Sequence, residues 1–181
     1  MIVFVKLLTI SLLAFCMLAC VAGCVERAKK AAAPLLAGAF CLALALLAAN
    51  AVLAQAPPFG NMRHVLDFFP LVMVPCAFFL RRRGHDLLPY FAGAAALAVV
   101  GALCMPMQAE WRRMPALQSP WFVPHVTCYV LAYGMLAVSA SLAAAAWGQG
   151  AKRRLASADA VLRLAFPFLT FGLWSGALWA D

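Results

Sequence analysis

Acidic side chains are scarce. Only six of the 181 residues are Asp or Glu, and charged residues of all kinds make up 11% of the chain. A soluble domain carries roughly a quarter charged residues, so a soluble globule, a disordered tail and a nucleic-acid-binding domain are all excluded. Paired carboxylates for acid–base hydrolysis have almost no material, and the sequence holds no phosphate-binding glycine loop and no Ser/His/Asp arrangement. It also lacks a C-x-x-C pair, although it has seven cysteines. Cys16, Cys20 and Cys24 recur every four residues and form one stripe on a helix, where cysteine packs as a small apolar residue. No internal repeat, no Gly/Ser linker and no low-complexity tract beyond alanine richness marks a domain boundary.

What the chain has is apolar surface. Hydrophobic residues are 67% of it, and the mean hydropathy is +0.95. A membrane-crossing helix takes about 20 apolar residues, so this length holds roughly six with short loops. The runs fall at about 2–24, 31–54, 65–80, 87–104, 121–147 and 161–180. The third carries Pro70 and Pro75, which kink it and leave carbonyls for neighbouring helices to satisfy. The expected fold is an all-α membrane bundle of six helices in a single transmembrane domain.

The net charge of +8 is explained by placement. Arg27, Lys29 and Lys30 follow the first run, Arg81, Arg82 and Arg83 the third, and Lys152, Arg153 and Arg154 the fifth, with Arg163 just beyond. These are ten of the fourteen basic residues. The positive-inside rule places their loops in the cytoplasm and both termini outside. Lys6 lies near an outer end and can snorkel. No nucleic-acid partner is needed. Val21-Ala22-Gly23-Cys24 is also similar to a lipoprotein signal ending, but the basic cluster follows the apolar run instead of preceding it, which favours a span.

The connection from Met105 to Trp121 is the most informative stretch. Trp111 and Trp121 suit an interfacial belt. Arg112 and Arg113 are basic on the side that should be poor in basic residues, where they can meet headgroups. His125 lies about one turn into the fifth run. His64 sits at the outer end of the third, one turn from Asp67, either as a ligand facing the same side or as a polar partner of Asp67. His85 lies between arginines and an aspartate and receives no role. Trp174 and Trp179 are read as packing and boundary residues, and Gly172-x-x-x-Gly176 as a small-xxx-small helix contact.

Leu117-Gln118-Ser119-Pro120-Trp121, followed by His125-Val126, Tyr129 and Tyr133, resembles the cytochrome c assembly family of CcsA and CcmC type, whose members handle haem. Pro57-Pro58-Phe59-Gly60-Asn61-Met62 is similar to that family's P-x-S-N-L/M stretch, but Arg63-His64 stand where the family has Tyr-Glu. Gly172 to Ala180 is similar to its G-x-x-x-G-A-x-W-A segment, which in the family leads into a tryptophan-rich loop, W-G-x-x-W-x-W-D. The resemblance covers roughly residues 35–181.

The resemblance implies a bacterial inner-membrane protein that transiently binds haem b and presents it at the outer face for attachment to apocytochrome c, together with other assembly subunits. It implies the N-terminal part of a longer protein, not catalytic by itself. His125 matches the family's first external haem-ligating histidine. The chemistry suits the residues: haem iron takes neutral imidazole, tryptophan can stack on a porphyrin face, and arginine can pair with a propionate. Trp121 would be platform edge or belt; Arg112 and Arg113 as propionate partners, and His64 as a second ligand or a partner of Asp67, are inferred from chemistry and position and not from a family motif. Two rival readings are a HemX-like membrane regulator of the haem pathway and an unrelated transporter or scaffold bundle. The last would need charged residues deep within the spans, and apart from Asp67 the sequence has few.

Overall fold

A computed structural model describes residues 1–54, 59, 61–106, 119–148 and 150–180. Arg112, Arg113 and Trp111 lie outside the described residues. Six helices follow one another: α1 (Ile2–Cys24), α2 (Lys29–Ala54), α3 (Met62–Arg82), α4 (Leu88–Cys104), α5 (Phe122–Ala144) and α6 (Ala151–Ala180). Among the described residues there is no strand. Five of the helices are long and apolar enough to cross a membrane. The sixth, α4, has 17 apolar residues and is about 25 Å long at 1.5 Å per residue. The chain is a multi-pass membrane protein.

Three boundaries differ from the hydropathy reading by three residues or more, each for a local reason. α3 starts three residues early because Asn61 caps it: its Oδ1 accepts from the His64 N–H at 2.8 Å. This puts Arg63 and His64 inside a helix. α6 starts ten residues early, since Lys152 to Ala160 extend the apolar run as a charged helical end. α5 stops at Ala144, short of Trp147, where Ala145 N–H bonds back to Ser141. Pro89 and Pro124 fall in the first turns of α4 and α5, where a missing N–H costs no bond.

Helices α1 to α4 close into a ring, each touching the next and α4 returning to α1. Phe91, Leu12, Leu36, Leu46 and Met73 fill the core. α5 joins this ring mainly through α3, and α6 packs chiefly on α5. In lipid, association rests on close packing more than on hydrophobicity, and the α3–α5 contact shows it. A Cβ at Gly134 would stand 2.6 Å from Phe69 Cζ and 2.8 Å from Met73 Sδ. Gly134→Ala is therefore expected to lower stability by about 1–3 kcal/mol, read as a shift in detergent-denaturation midpoint. An unchanged midpoint would mean that α5 is not seated as described.

Polar side chains tie the helices at both ends. Near the basic loops, Ser139 Oγ donates to Ala158 O at 2.8 Å, and His85 Nδ1 lies 3.0 Å from Ser157 Oγ. At the opposite end Arg63, Asp67 and Asn50 join α3 to α4 and α2.

Candidate functional site

His125 stands in the first turn of α5, and the sequence builds that turn step by step. Ser119 Oγ accepts from the Trp121 N–H at 3.3 Å, and its carbonyl accepts from Phe122 N–H. The Ser-Pro-Trp stretch is thus the turn that launches the helix. His125 N–H then bonds to Trp121 O at 3.0 Å, already in helical register.

The imidazole faces α6. Nδ1 lies 2.8 Å from Gly172 O. A carbonyl only accepts, so Nδ1 carries the proton, and the neutral ring keeps its lone pair on Nε2. This is the arrangement by which a backbone carbonyl fixes the tautomer of a metal-binding histidine. Aromatic rings surround it. Trp179 stacks on His125 with centroids 5.5 Å apart at 26°, and Tyr129 meets it edge-on at 4.6 Å. Tyr129 stacks in turn on Tyr133, at 5.2 Å and 13°. Next to this stack, Trp121 packs edge-on against Trp174 at 5.3 Å, and Phe122 against Trp179 at 5.8 Å.

Gly176 makes room for the ring. A Cβ there would sit 2.6 Å from His125 Cε1 and 2.7 Å from Nδ1. The glycine pair of α6 is therefore more than a helix contact: Gly172 supplies the carbonyl and Gly176 the space.

A second polar cluster lies at the same end of the bundle. Arg63, His64, Asp67 and Asn50 are all more than nine-tenths buried. Arg63 Nη1 donates to Ala102 O and Met105 O, both at 2.9 Å, so it satisfies carbonyls at the end of α4. Its Nε is 3.8 Å from Asp67 Oδ2, which also accepts from Asn50 Nδ2 at 3.3 Å. Asp67 therefore takes its partners from Arg63 and Asn50. His64, expected as ligand or as partner of Asp67, has a buried Nδ1 with no hydrogen-bond partner among the described residues. The rings against His125 are those of Tyr129 and Trp179, not that of His64.

The sequence singles out His125 and Trp121, quotes Tyr129 only as part of the surrounding motif, reads Trp179 as a boundary residue and gives Arg63 no role. The structure brings His125, Tyr129 and Trp179 together and puts Arg63 in the second cluster. Tyr129 was findable from its i+4 spacing to His125, and Arg63 from its i+4 spacing to Asp67. Trp179 belongs to another helix, 54 positions away in the chain, and only its motif pointed to it. The described residues hold no group of three or more His, Cys, Asp or Glu side chains suited to a metal ion. One imidazole with a fixed tautomer among flat aromatic rings can, however, serve a flat ligand whose metal already has four ligands of its own.

Fold and site together define a class: multi-pass helical membrane proteins that offer an imidazole, held by a backbone carbonyl, at one end of the bundle. Within that class the chain belongs to the cytochrome c assembly protein family, whose sequence model matches residues 4–181. Membership ties it to cytochrome c biogenesis. It is similar to the cytochrome c biogenesis protein CcsA of Chlamydomonas reinhardtii, with 33% identity over 88 residues. The match covers 41% of this chain and 25% of that protein, so the chain spans about a quarter of the relative's length. No solved structure matches the chain.

Proposed function

We infer that this chain binds haem as cargo at the His125 end of the bundle and presents it for attachment to apocytochrome c. The observation that carries the reading is the Nδ1 contact to Gly172 O, which leaves Nε2 as the ligating nitrogen. His125 would ligate the iron of a transiently held haem b. Trp179 and Trp121 would flank the porphyrin, and Arg112 and Arg113 would pair with its propionates. His64 would be a weaker candidate for a second ligand, since its cluster is buried.

When bound, haem supplies two vinyl groups, to which client thiols add, sulfur to one carbon and hydrogen to the other, with no leaving group. This chain holds the cargo, orients it and shields one face with apolar rings. Ten basic residues at the opposite end support placing the His125 end outside, with both termini. The membrane would be the bacterial plasma membrane, and the partners other cytochrome c assembly subunits.

The test is the haem-to-protein ratio of the membrane-extracted chain. The wild type is expected to copurify with haem and His125→Ala to lose most of it. His85→Ala, at the opposite end of the bundle, should keep the wild-type ratio. Equal haem in wild type and His125→Ala would overturn the reading.

A further inference from the structure

A groove of about 790 Å³ runs along the outside of the bundle between α1, α3, α4 and α5. His125 is not among its lining residues, and Tyr133, which stacks on Tyr129, is the point at which the groove meets the aromatic stack. Its floor is small residues, Gly93, Ala94, Ala98, Gly134 and Ala137, and Tyr133 stands at its side. Along α4 it spans Pro89 to Ala98, about 14 Å at 1.5 Å per residue. Among the described residues its wall carries no histidine and no charged side chain. Leu66 and Phe69 of α3 and Gly134 of α5 line it on the side away from the basic loops. Its other end reaches Cys24, Pro89 and Ser141, at the basic end.

Cationic residues lie in the chain segments that leave that mouth. Arg27 is exposed and follows Cys24 by three residues, and no ion pair engages it among the described residues. Arg154 Nη1 caps α5 by donating to Ala145 O at 2.8 Å, one turn beyond Ser141 on the same helix face. The same Nη1 lies 3.4 Å from Trp147 O, and the residue as a whole is exposed. Lys29, by contrast, is held by Glu26 and Asp86.

We propose that the groove holds an acyl chain of an anionic phospholipid, whose phosphate sits on Arg27 and Arg154. The size of the groove favours this occupant. It falls within the roughly 300–1,000 Å³ of small-ligand sites. A membrane-crossing helix, about 10 Å across and about 30 Å long, displaces roughly three times its volume. The chemistry favours it as well. The wall suits a hydrocarbon chain, and positive charge is confined to the mouth, where a membrane-embedded lipid carries its phosphate. Basic side chains next to a membrane surface attract anionic headgroups by about 1 kcal/mol each.

The experiment is native mass spectrometry of the full chain in detergent, with phosphatidylglycerol or phosphatidylcholine of identical acyl chains added. The wild type should retain one phosphatidylglycerol and bind phosphatidylcholine several-fold more weakly. Ala94→Phe, which fills the groove, should abolish the bound lipid while helicity by circular dichroism stays unchanged. If that variant does not fold, the Arg27→Gln/Arg154→Gln pair carries the test. It should lower phosphatidylglycerol retention to the phosphatidylcholine level. Equal retention of the two lipids by the wild type would overturn the proposal. So would phosphatidylglycerol retention that neither variant lowers, or a porphyrin or second copy of the chain as the species that Ala94→Phe displaces.

Discussion

Replacing Arg63 by alanine is expected to destabilise the bundle by about 3–5 kcal/mol, the usual cost of removing one partner of a buried ion pair. Arg63 is 4% exposed and Asp67 3%. The guanidinium serves three acceptors on two helices: the Asp67 carboxylate and the Ala102 and Met105 carbonyls. Alanine leaves the carboxylate with Asn50 alone, removes the donor from Met105 O and leaves Ala102 O with only its bond from Met105 N–H. Arg63→Lys keeps the charge but not the forked geometry, so it should recover only part of the loss. Adding Asp67→Asn to Arg63→Ala should also recover part, because it removes the stranded charge. Equilibrium unfolding in mixed micelles measures all four proteins. An Arg63→Ala variant within about 1 kcal/mol of wild type would fit a surface ion pair instead.

The second large effect concerns Gly176. Alanine there puts a methyl group 2.6 Å from His125 Cε1 and 2.7 Å from Nδ1, so the imidazole must leave its seat. The Nδ1 contact to Gly172 O and the stack on Trp179 go with it. Losing such a supporting contact typically weakens metal binding about 10–100-fold. Haem titration of the purified variant should show a fall in affinity of that order, although the histidine is still present. Gly172→Ala is the milder comparison. Its Cβ would meet Tyr129 and Cys128 at 3.5–3.6 Å, an ordinary contact, and the carbonyl that binds His125 remains. If Gly176→Ala and Gly172→Ala bind haem alike, the seat of the imidazole does not govern the site.

The spans were legible because each is a run of about 20 apolar residues, a signal that lipid enforces directly. Their ends were less legible. Capping by Asn61 and the helical charged stretch before Val161 are local hydrogen-bonding matters that hydropathy averages over. Arg63 shows the consequence. In the sequence it is a lone cation in a charge-poor connection; in the structure it ties α3 to the end of α4 and pairs with Asp67, which Asn50 of α2 also contacts. His125 and its partners all lie in stretches that resemble family motifs, but nothing in the sequence says that the two stretches meet. Gly172, Gly176 and Trp179 meet it only because α5 and α6 run antiparallel with a fixed register, and one sequence carries no direct record of that register. Trp179 therefore looked like a boundary tryptophan. The groove was invisible for the same reason, since its walls come from four helices.

The central claim is that His125 Nε2 ligates haem iron. The most direct measurement is the magnetic circular dichroism spectrum of ferric haem bound to wild type and to His125→Gly, with and without free imidazole. The account predicts that His125→Gly loses the imidazole-ligand signature, and that millimolar-range imidazole entering the vacated space restores it. A His125→Gly spectrum identical to wild type without added imidazole would contradict it.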